Sequence, residues 1–190
     1  MSSVGRLVYS TQVSLDGFIT DRDGSIDFTE PDDEVHAFVN DSLRPIGTHL
    51  YGRRLYDVMV FWETVPDDSS VAPVMRDFGR VWRGVDKVVY SRTLERVASE
   101  RTTLEREFDP DAVRRLKAGS DADLLVGGAE LAGAALRAGV VDEVRLFVFP
   151  VLVGGGRSAW GEDVHARLEL REERRFGSGV VHVRYDVTGS

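Results

Sequence analysis

Asp123-Leu124-Leu125-Val126-Gly127-Gly128-Ala129-Glu130-Leu131-Ala132 is the stretch on which the fold turns. Three consecutive branched apolar residues read as a strand buried on both faces. Two glycines follow at once, and Ala129 to Ala138 then reads as an alanine-rich helix that stops at Gly139. A buried strand running through glycines into a helix predicts an α/β protein with a mostly parallel sheet. Paired glycines let a ligand approach the backbone, and the helix start behind them offers free N–H groups and a positive dipole end. The same pair also serves as a plain tight turn, so the motif alone leaves both readings open. No Gly-Lys-Ser/Thr follows, which excludes a P-loop, and the full G-x-G-x-x-G fingerprint is absent.

The flanks agree with that reading. Asp109-Pro110-Asp111 opens a helix running to Gly119, with an acidic cap and proline at the first helical position. Val140 to Phe149 is a long apolar strand ended by Pro150 and Gly154-Gly155-Gly156. Two alternating strands, 167–175 and 180–187, join at Gly177-Ser178-Gly179 as an antiparallel hairpin. Towards the N-terminus, Leu7 to Val13 is a strand and Ser14 to Pro31 a long polar loop. A helix opens at Asp32-Asp33-Glu34 and is stopped by Pro45 and Gly47. Thr48 to Tyr51 and Asp86 to Ser91 are strands; Leu55 to Trp62 and Pro73 to Trp82 are helices. No repeat or linker divides the chain, and we read residues 1–190 as one domain.

Composition narrows the function. The chain has 190 residues, no cysteine and a net charge of −8. Disulfides, thiolate nucleophiles and zinc–thiolate sites are excluded. With no apolar run of membrane length and no leader-like start, a cytoplasmic protein without a membrane or nucleic-acid partner is expected. The charge is uneven: residues 21–41 carry −7, leaving −1 for the rest.

Candidate chemistry sits where strands end. Tyr51-Gly52-Arg53-Arg54 and Tyr90-Ser91-Arg92-Thr93 repeat an arginine just past a strand, and in parallel α/β sheets ligands bind at the carboxyl ends. Arginine is a bidentate partner for phosphate. His36, His49, His165 and His182 lack metal-ligand spacing, so structural or surface roles are expected and no metal. The acidic run around Asp21-Arg22-Asp23-Gly24 has no closing glutamate of a calcium loop.

Five segments, in this order and spacing, resemble the dihydrofolate reductase superfamily. They are 14–19 (Ser-Leu-Asp-Gly-Phe-Ile), 51–56 (Tyr-Gly-Arg-Arg-Leu-Tyr), 88–92 (Val-Val-Tyr-Ser-Arg), 125–131 (Leu-Val-Gly-Gly-Ala-Glu-Leu) and 141–156. The closer likeness is to the reductase domain of the bifunctional riboflavin-biosynthesis deaminase-reductases. It spans nearly the whole chain.

The resemblance implies a three-layer fold, a homodimer and NADPH-dependent reduction of a pteridine- or pyrimidine-like heterocycle, such as the ribosylaminouracil phosphate of riboflavin synthesis. It places the nicotinamide near Val13 and Gly17, and the diphosphate on Gly127, Gly128 and Ala129, with Glu130 and Leu131 behind. Gly52, Arg53, Arg54, Ser91 and Arg92 flank the adenosine phosphates. It offers three places for a catalytic acid. Asp16 lies beside the nicotinamide. Asp32, Asp33 or Glu34 occupies the helix start, of which we take Asp33. Asp57 alone matches the substrate-side acid after the second strand. Helix capping and dipole compensation also explain the trio, and a turn explains Asp16. The acidic 16–32 loop repels an anionic substrate. Dihydrofolate reduction, and a nucleotide-binding sensor or scaffold without catalysis, are the alternatives.

Overall fold

Among residues 4–189, which the computed structural model describes, ten strands form. They are β1 (Leu7–Ser14), β2 (Phe18–Thr20), β3 (Ile46–Gly52), β4 (Asp86–Tyr90), β5 (Thr102–Glu105), β6 (Asp123–Gly127), β7 (Glu143–Phe149), β8 (Arg157–Ser158), β9 (Arg167–Arg175) and β10 (Val181–Gly189). The helices are α1 (Asp33–Leu43), α2 (Arg53–Met59), α3 (Pro73–Gly84), α4 (Pro110–Ala118) and α5 (Ala129–Arg137). Eight strands make one sheet in the order β5-β4-β3-β6-β1-β7-β10-β9. All pairs from β5 to β7 are parallel; β10 is antiparallel to both β7 and β9.

Sequence pattern explains the two halves. The β6 residues Leu124, Leu125 and Val126 are buried in the middle of the parallel half. Leu124 and Val126 face α4 and α5, while Leu125 faces α2 and α3. In the antiparallel half, β10 alternates, and its buried His182 points towards α1, where it meets Phe38 and Phe147. Burial drives the His182 imidazole down to about 4.

A polar network sits under the parallel half. His49 is fully buried and its Nδ1 lies 2.7 Å from the Tyr51 hydroxyl, which accepts from Trp82 Nε1 at 3.1 Å. Lys87 donates to the Trp82 and Val85 carbonyls at the end of α3. A cation there satisfies carbonyls that the helix leaves unpaired.

Several boundaries differ from the sequence expectation. The 14–31 loop contains β2, which pairs with β8, and a 3-10 turn over Asp27–Thr29. The chain between Ser91 and Asp109 holds β5. These strands are two to four residues long and only partly buried, so no alternation marks them. Gly47 lies inside β3 instead of ending α1. The 140–149 strand begins only at Glu143, because Gly139 and Val140 close α5 first. The helix expected to reach Trp62 is α2 followed by a 3-10 turn over Val60–Glu63.

Candidate active site

Sheet order brings the strand-end motifs together. β4, β3 and β6 are neighbours with Gly52 opposite Tyr90 and Tyr51 opposite Gly127. Gly52-Arg53-Arg54, Ser91-Arg92 and Gly127-Gly128-Ala129 therefore leave one edge side by side. Gly128 has φ +91°, a conformation that side chains disfavour, and caps α5 with no side chain over its first amides. A Cβ built on Gly128 would stand 3.9 Å from the Gly52 nitrogen and 3.7 Å from Leu55 Cβ. It would fill the notch between the two turns. Gly52 likewise caps α2. Bare amides beside arginines are the donor set an anionic diphosphate requires.

Each arginine on this edge already holds a carboxylate. Arg53 Nε lies 2.7 Å from Asp57, one helical turn on. Arg92 pairs with Glu107 at 3.1 Å. Arg54 contacts Glu130 at 2.5 Å, and Arg157, from β8, contacts the same oxygen at 2.8 Å. Partial desolvation pushes the Glu130 carboxyl up, but Arg157 and Arg54 outweigh it and hold it below the usual carboxylate range. All of these groups are substantially exposed, so each pair is worth about 0–1 kcal/mol. Ser91 is buried differently. Its Oγ accepts from the amides of Thr93 and Leu94 and shapes the turn that carries Arg92.

At the carboxyl ends of β1 and β7 the acids are bound to backbone instead. Asp16 accepts from Ser14 Oγ at 2.7 Å, and from the amides of Gly154 at 2.8 Å and Val153 at 3.2 Å. The Ser14 bond, with those two amides, holds its carboxyl below the usual range. Ser14 is itself buried and accepts from the Phe18 amide, which tightens the turn at Gly17. Asp32 caps α1 by accepting from Val35 N. Glu34 accepts from Gly177 N and pairs with Arg174. Asp33 is exposed at the first turn of α1, and among the described residues its carboxylate has no hydrogen-bond partner.

Two cavities open here. One, of about 310 Å³, is lined by Phe28, Glu30, Asp32, Phe149, Pro150, Val151, Ser178 and Val180. The other, of about 390 Å³, is lined by Gln12, Ile26, Asp27, Thr29, Glu30 and Pro31. Neither lining contains a basic residue.

The edge thus gathers Val13, Gly17, Gly52, Arg53, Arg54, Ser91, Arg92, Gly127, Gly128, Ala129, Glu130 and Leu131 around the carboxyl ends of β1, β3, β4 and β6. It does not gather the three acids. Asp57 is taken by Arg53, Asp16 by the 153–154 loop, and Asp33 stands alone. Sequence reasoning missed Arg157 and Glu30. Arg157 lies 27 residues from Glu130 and follows a loop of three glycines, so no local pattern announces the contact. Glu30 was one acid among eight, and only the fold shows that it borders both cavities.

Known proteins give the family. The sequence profile of the RibD C-terminal domain matches residues 6–182. An uncharacterized protein of Bacillus subtilis strain 168, YyaP, is 30% identical over 187 residues, covering 97% of this chain and 96% of that protein. The crystal structure of a putative riboflavin biosynthesis protein from Shewanella sp. PV-4 superposes with a TM-score of 0.75 at 19% identity, over 96% of this chain and 99% of that one. The diaminohydroxyphosphoribosylaminopyrimidine deaminase/5-amino-6-(5-phosphoribosylamino)uracil reductase of Thermotoga maritima gives 0.65 at 14% identity, over 96% of this chain but 56% of that one. With every strand from β1 to β9 and the first residues of β10 inside the matched span, the chain belongs to the RibD C-terminal domain family of reductase-like proteins.

Proposed function

We propose that this protein is an NADPH-dependent reductase of a pteridine- or pyrimidine-like heterocycle. The observation that supports it most is the convergence of Gly52-Arg53-Arg54, Ser91-Arg92 and Gly127-Gly128-Ala129 on adjacent strands, at the edge of the sheet whose β1 and β7 ends border two cavities. Membership of the family supports reduction as the reaction class.

In this reading the amides at Gly128 and Ala129 bind the diphosphate, and Arg54 and Arg157 turn from Glu130 towards it. Arg53 and Arg92 supply guanidinium groups for the further phosphate that distinguishes NADPH. When bound, that cofactor supplies the hydride. In this reading the ring lies at the carboxyl end of β1, near Val13 and Gly17, and Phe28, Phe149 and Val151 give the neighbouring cavity its apolar wall. Proton delivery falls to a carboxylic acid at the cavity mouth. Glu30 lines both cavities and is the acid so placed; Asp33 lines neither but stands exposed next to the lining residue Asp32, while Asp16, Asp32, Asp57 and Glu34 are occupied. An acid-lined cavity without a base suits a neutral or cationic ring better than a phosphate ester.

The test is NADPH oxidation by the purified protein with a panel of neutral and phosphorylated pyrimidines and pteridines, dihydrofolate included. Turnover with a non-phosphorylated ring, reduced at least about tenfold in Glu30→Gln or Asp33→Asn, is the expected result. NADPH binding without oxidation by any acceptor would establish the non-catalytic nucleotide-binding module instead.

A further inference from the structure

β1 changes character halfway along. Val8 and Tyr9 are fully buried between two partners, Val8 between Leu125 and Glu143, Tyr9 between Val126 and Val144. After Tyr9 the ladder to β6 ends, because β6 itself turns at Gly127, while β7 accompanies β1 as far as Ser14. Ser10, Thr11 and Gln12, just past that parting, are polar and only half-buried. Strands inside a parallel sheet run apolar on both faces, so this polar run in a central strand needs a reason.

The packing supplies one. Val8 joins the apolar cluster under α2 and α3, and strand alternation puts Gln12 on the same face. The apolar cluster under α1 includes Phe147, which lies opposite Gln12 on β7. Neither cluster takes a residue of β1 beyond Val8. Gln12 instead lines the cavity of about 390 Å³ with Asp27, Thr29 and Glu30, and it is the residue of that lining that the sheet supplies. Thr11 Oγ1 donates to its backbone carbonyl, but among the described residues its carboxamide has no hydrogen-bond partner. Thr29 is buried, and its hydroxyl donates to the Ile26 carbonyl at 2.7 Å, which leaves the oxygen free to accept. A half-buried carboxamide without a partner lowers stability unless something in the cavity meets it.

We propose that Gln12 selects the substrate by pairing with a lactam edge of its ring. A carboxamide presents a carbonyl and an N–H side by side. The group it complements is a cyclic amide, with N–H next to C=O, held by two antiparallel hydrogen bonds. Glu30 and Asp27 only accept when ionised, so they meet an amino or N–H group elsewhere on the ring. The place of the ring rests on the reductase reading above; the role of Gln12 goes beyond it. Gln12 carries no charge and moves no proton. It fixes which ring atoms face Glu30.

The test uses the full chain and measures binding by calorimetry with NADP+ present, which fills the cofactor edge without supplying hydride. The probes are pterin against 3-methylpterin, and 5,6-diaminouracil against 5,6-diamino-1,3-dimethyluracil. Methylation removes the lactam N–H and keeps the ring. At least one parent ring is expected to bind at least about tenfold more tightly than its methylated counterpart. Gln12→Met, of similar length but without donor or acceptor pair, reduces that preference to within about twofold. Gln12→Glu only accepts, and shifts preference to 2,4-diaminopyrimidine, whose protonated edge only donates. Circular dichroism of both variants stays native. Parent rings that bind no better than the methylated ones overturn the proposal, and so does a preference that survives in Gln12→Met or an unchanged order of rings in Gln12→Glu. Failure of both parent rings to bind at about 1 mM overturns it as well.

Turnover separates this site from the reductase reading. A preference erased by Gln12→Met in a protein that never oxidises NADPH keeps the lactam site and removes the reductase. NADPH oxidation equal in wild type and Gln12→Met keeps the reductase and removes the lactam site. Where both stand, Gln12→Met raises KM about tenfold and leaves kcat within about twofold.

Discussion

Charge is held in two different ways at the two ends of the candidate site. At the ends of β3, β4 and β6, arginines meet carboxylates side chain to side chain: Arg53 with Asp57, Arg92 with Glu107, Arg54 and Arg157 with Glu130. At the ends of β1 and β7, carboxylates meet backbone amides: Asp16 with Gly154, Asp32 with Val35, Glu34 with Gly177. Exposed ion pairs exchange cheaply, so a phosphate can replace the carboxylate. Carboxylate–amide bonds fix loop and helix starts and are lost only if the loop moves. The first set is available to a ligand and the second belongs to the fold. Counting acids and bases does not reveal this. The net charge of −8 conceals a basic edge whose charges are already neutralised in pairs.

The contrast is open to attack at four points. Gly128→Asp acts hardest, since it adds a side chain at φ +91° and a negative charge in the notch. NADPH affinity measured by fluorescence is expected to fall at least about a hundredfold while circular dichroism stays native. Unchanged affinity would place the diphosphate elsewhere. Next, Arg54→Ala and Arg157→Ala should each weaken NADPH binding by about tenfold and flatten its salt dependence. Loss from Arg54 alone would remove Arg157 from the site.

Glu130→Gln runs the other way. It frees both arginines from their internal anion, so affinity for NADPH is expected to rise about two- to fivefold. A fall would show that Glu130 itself holds the cofactor. The smallest effect belongs to Asp16→Asn, which leaves kcat nearly intact and lowers the melting temperature. Its carboxyl is depressed in the folded state, so the stability it contributes is present above the unfolded value near 3.9 and is lost as pH falls through the folded value. Asp16→Asn should therefore lose less stability than wild type on acidification below about pH 4. A kcat collapse with normal melting would restore Asp16 to catalysis.

The glycine–arginine edge was more legible than the acidic end. Gly127-Gly128, Gly52-Arg53 and Ser91-Arg92 each follow an apolar run, and a strand end is a local event. The acids were not separable because 21–41 holds eight of them in one polar segment, with Asp16 just before it. Their difference lies in partners far along the chain: Asp16 with Gly154, Glu34 with Gly177, Glu30 with the residues around Phe149.

The sequence by itself determined the type of the long elements, the helix starts at Asp32 and Asp109, the antiparallel hairpin and the parallel character of the rest. Those depend on periodicity, capping and turn chemistry within a few residues. Only the tertiary structure decided the order in which strands lie, with β6 between β3 and β1. It also seated Arg157 on Glu130 and occupied Asp16 with the 153–154 loop. Strand order and coverage are set by which apolar faces bury one another across the whole chain, and no local window contains that balance.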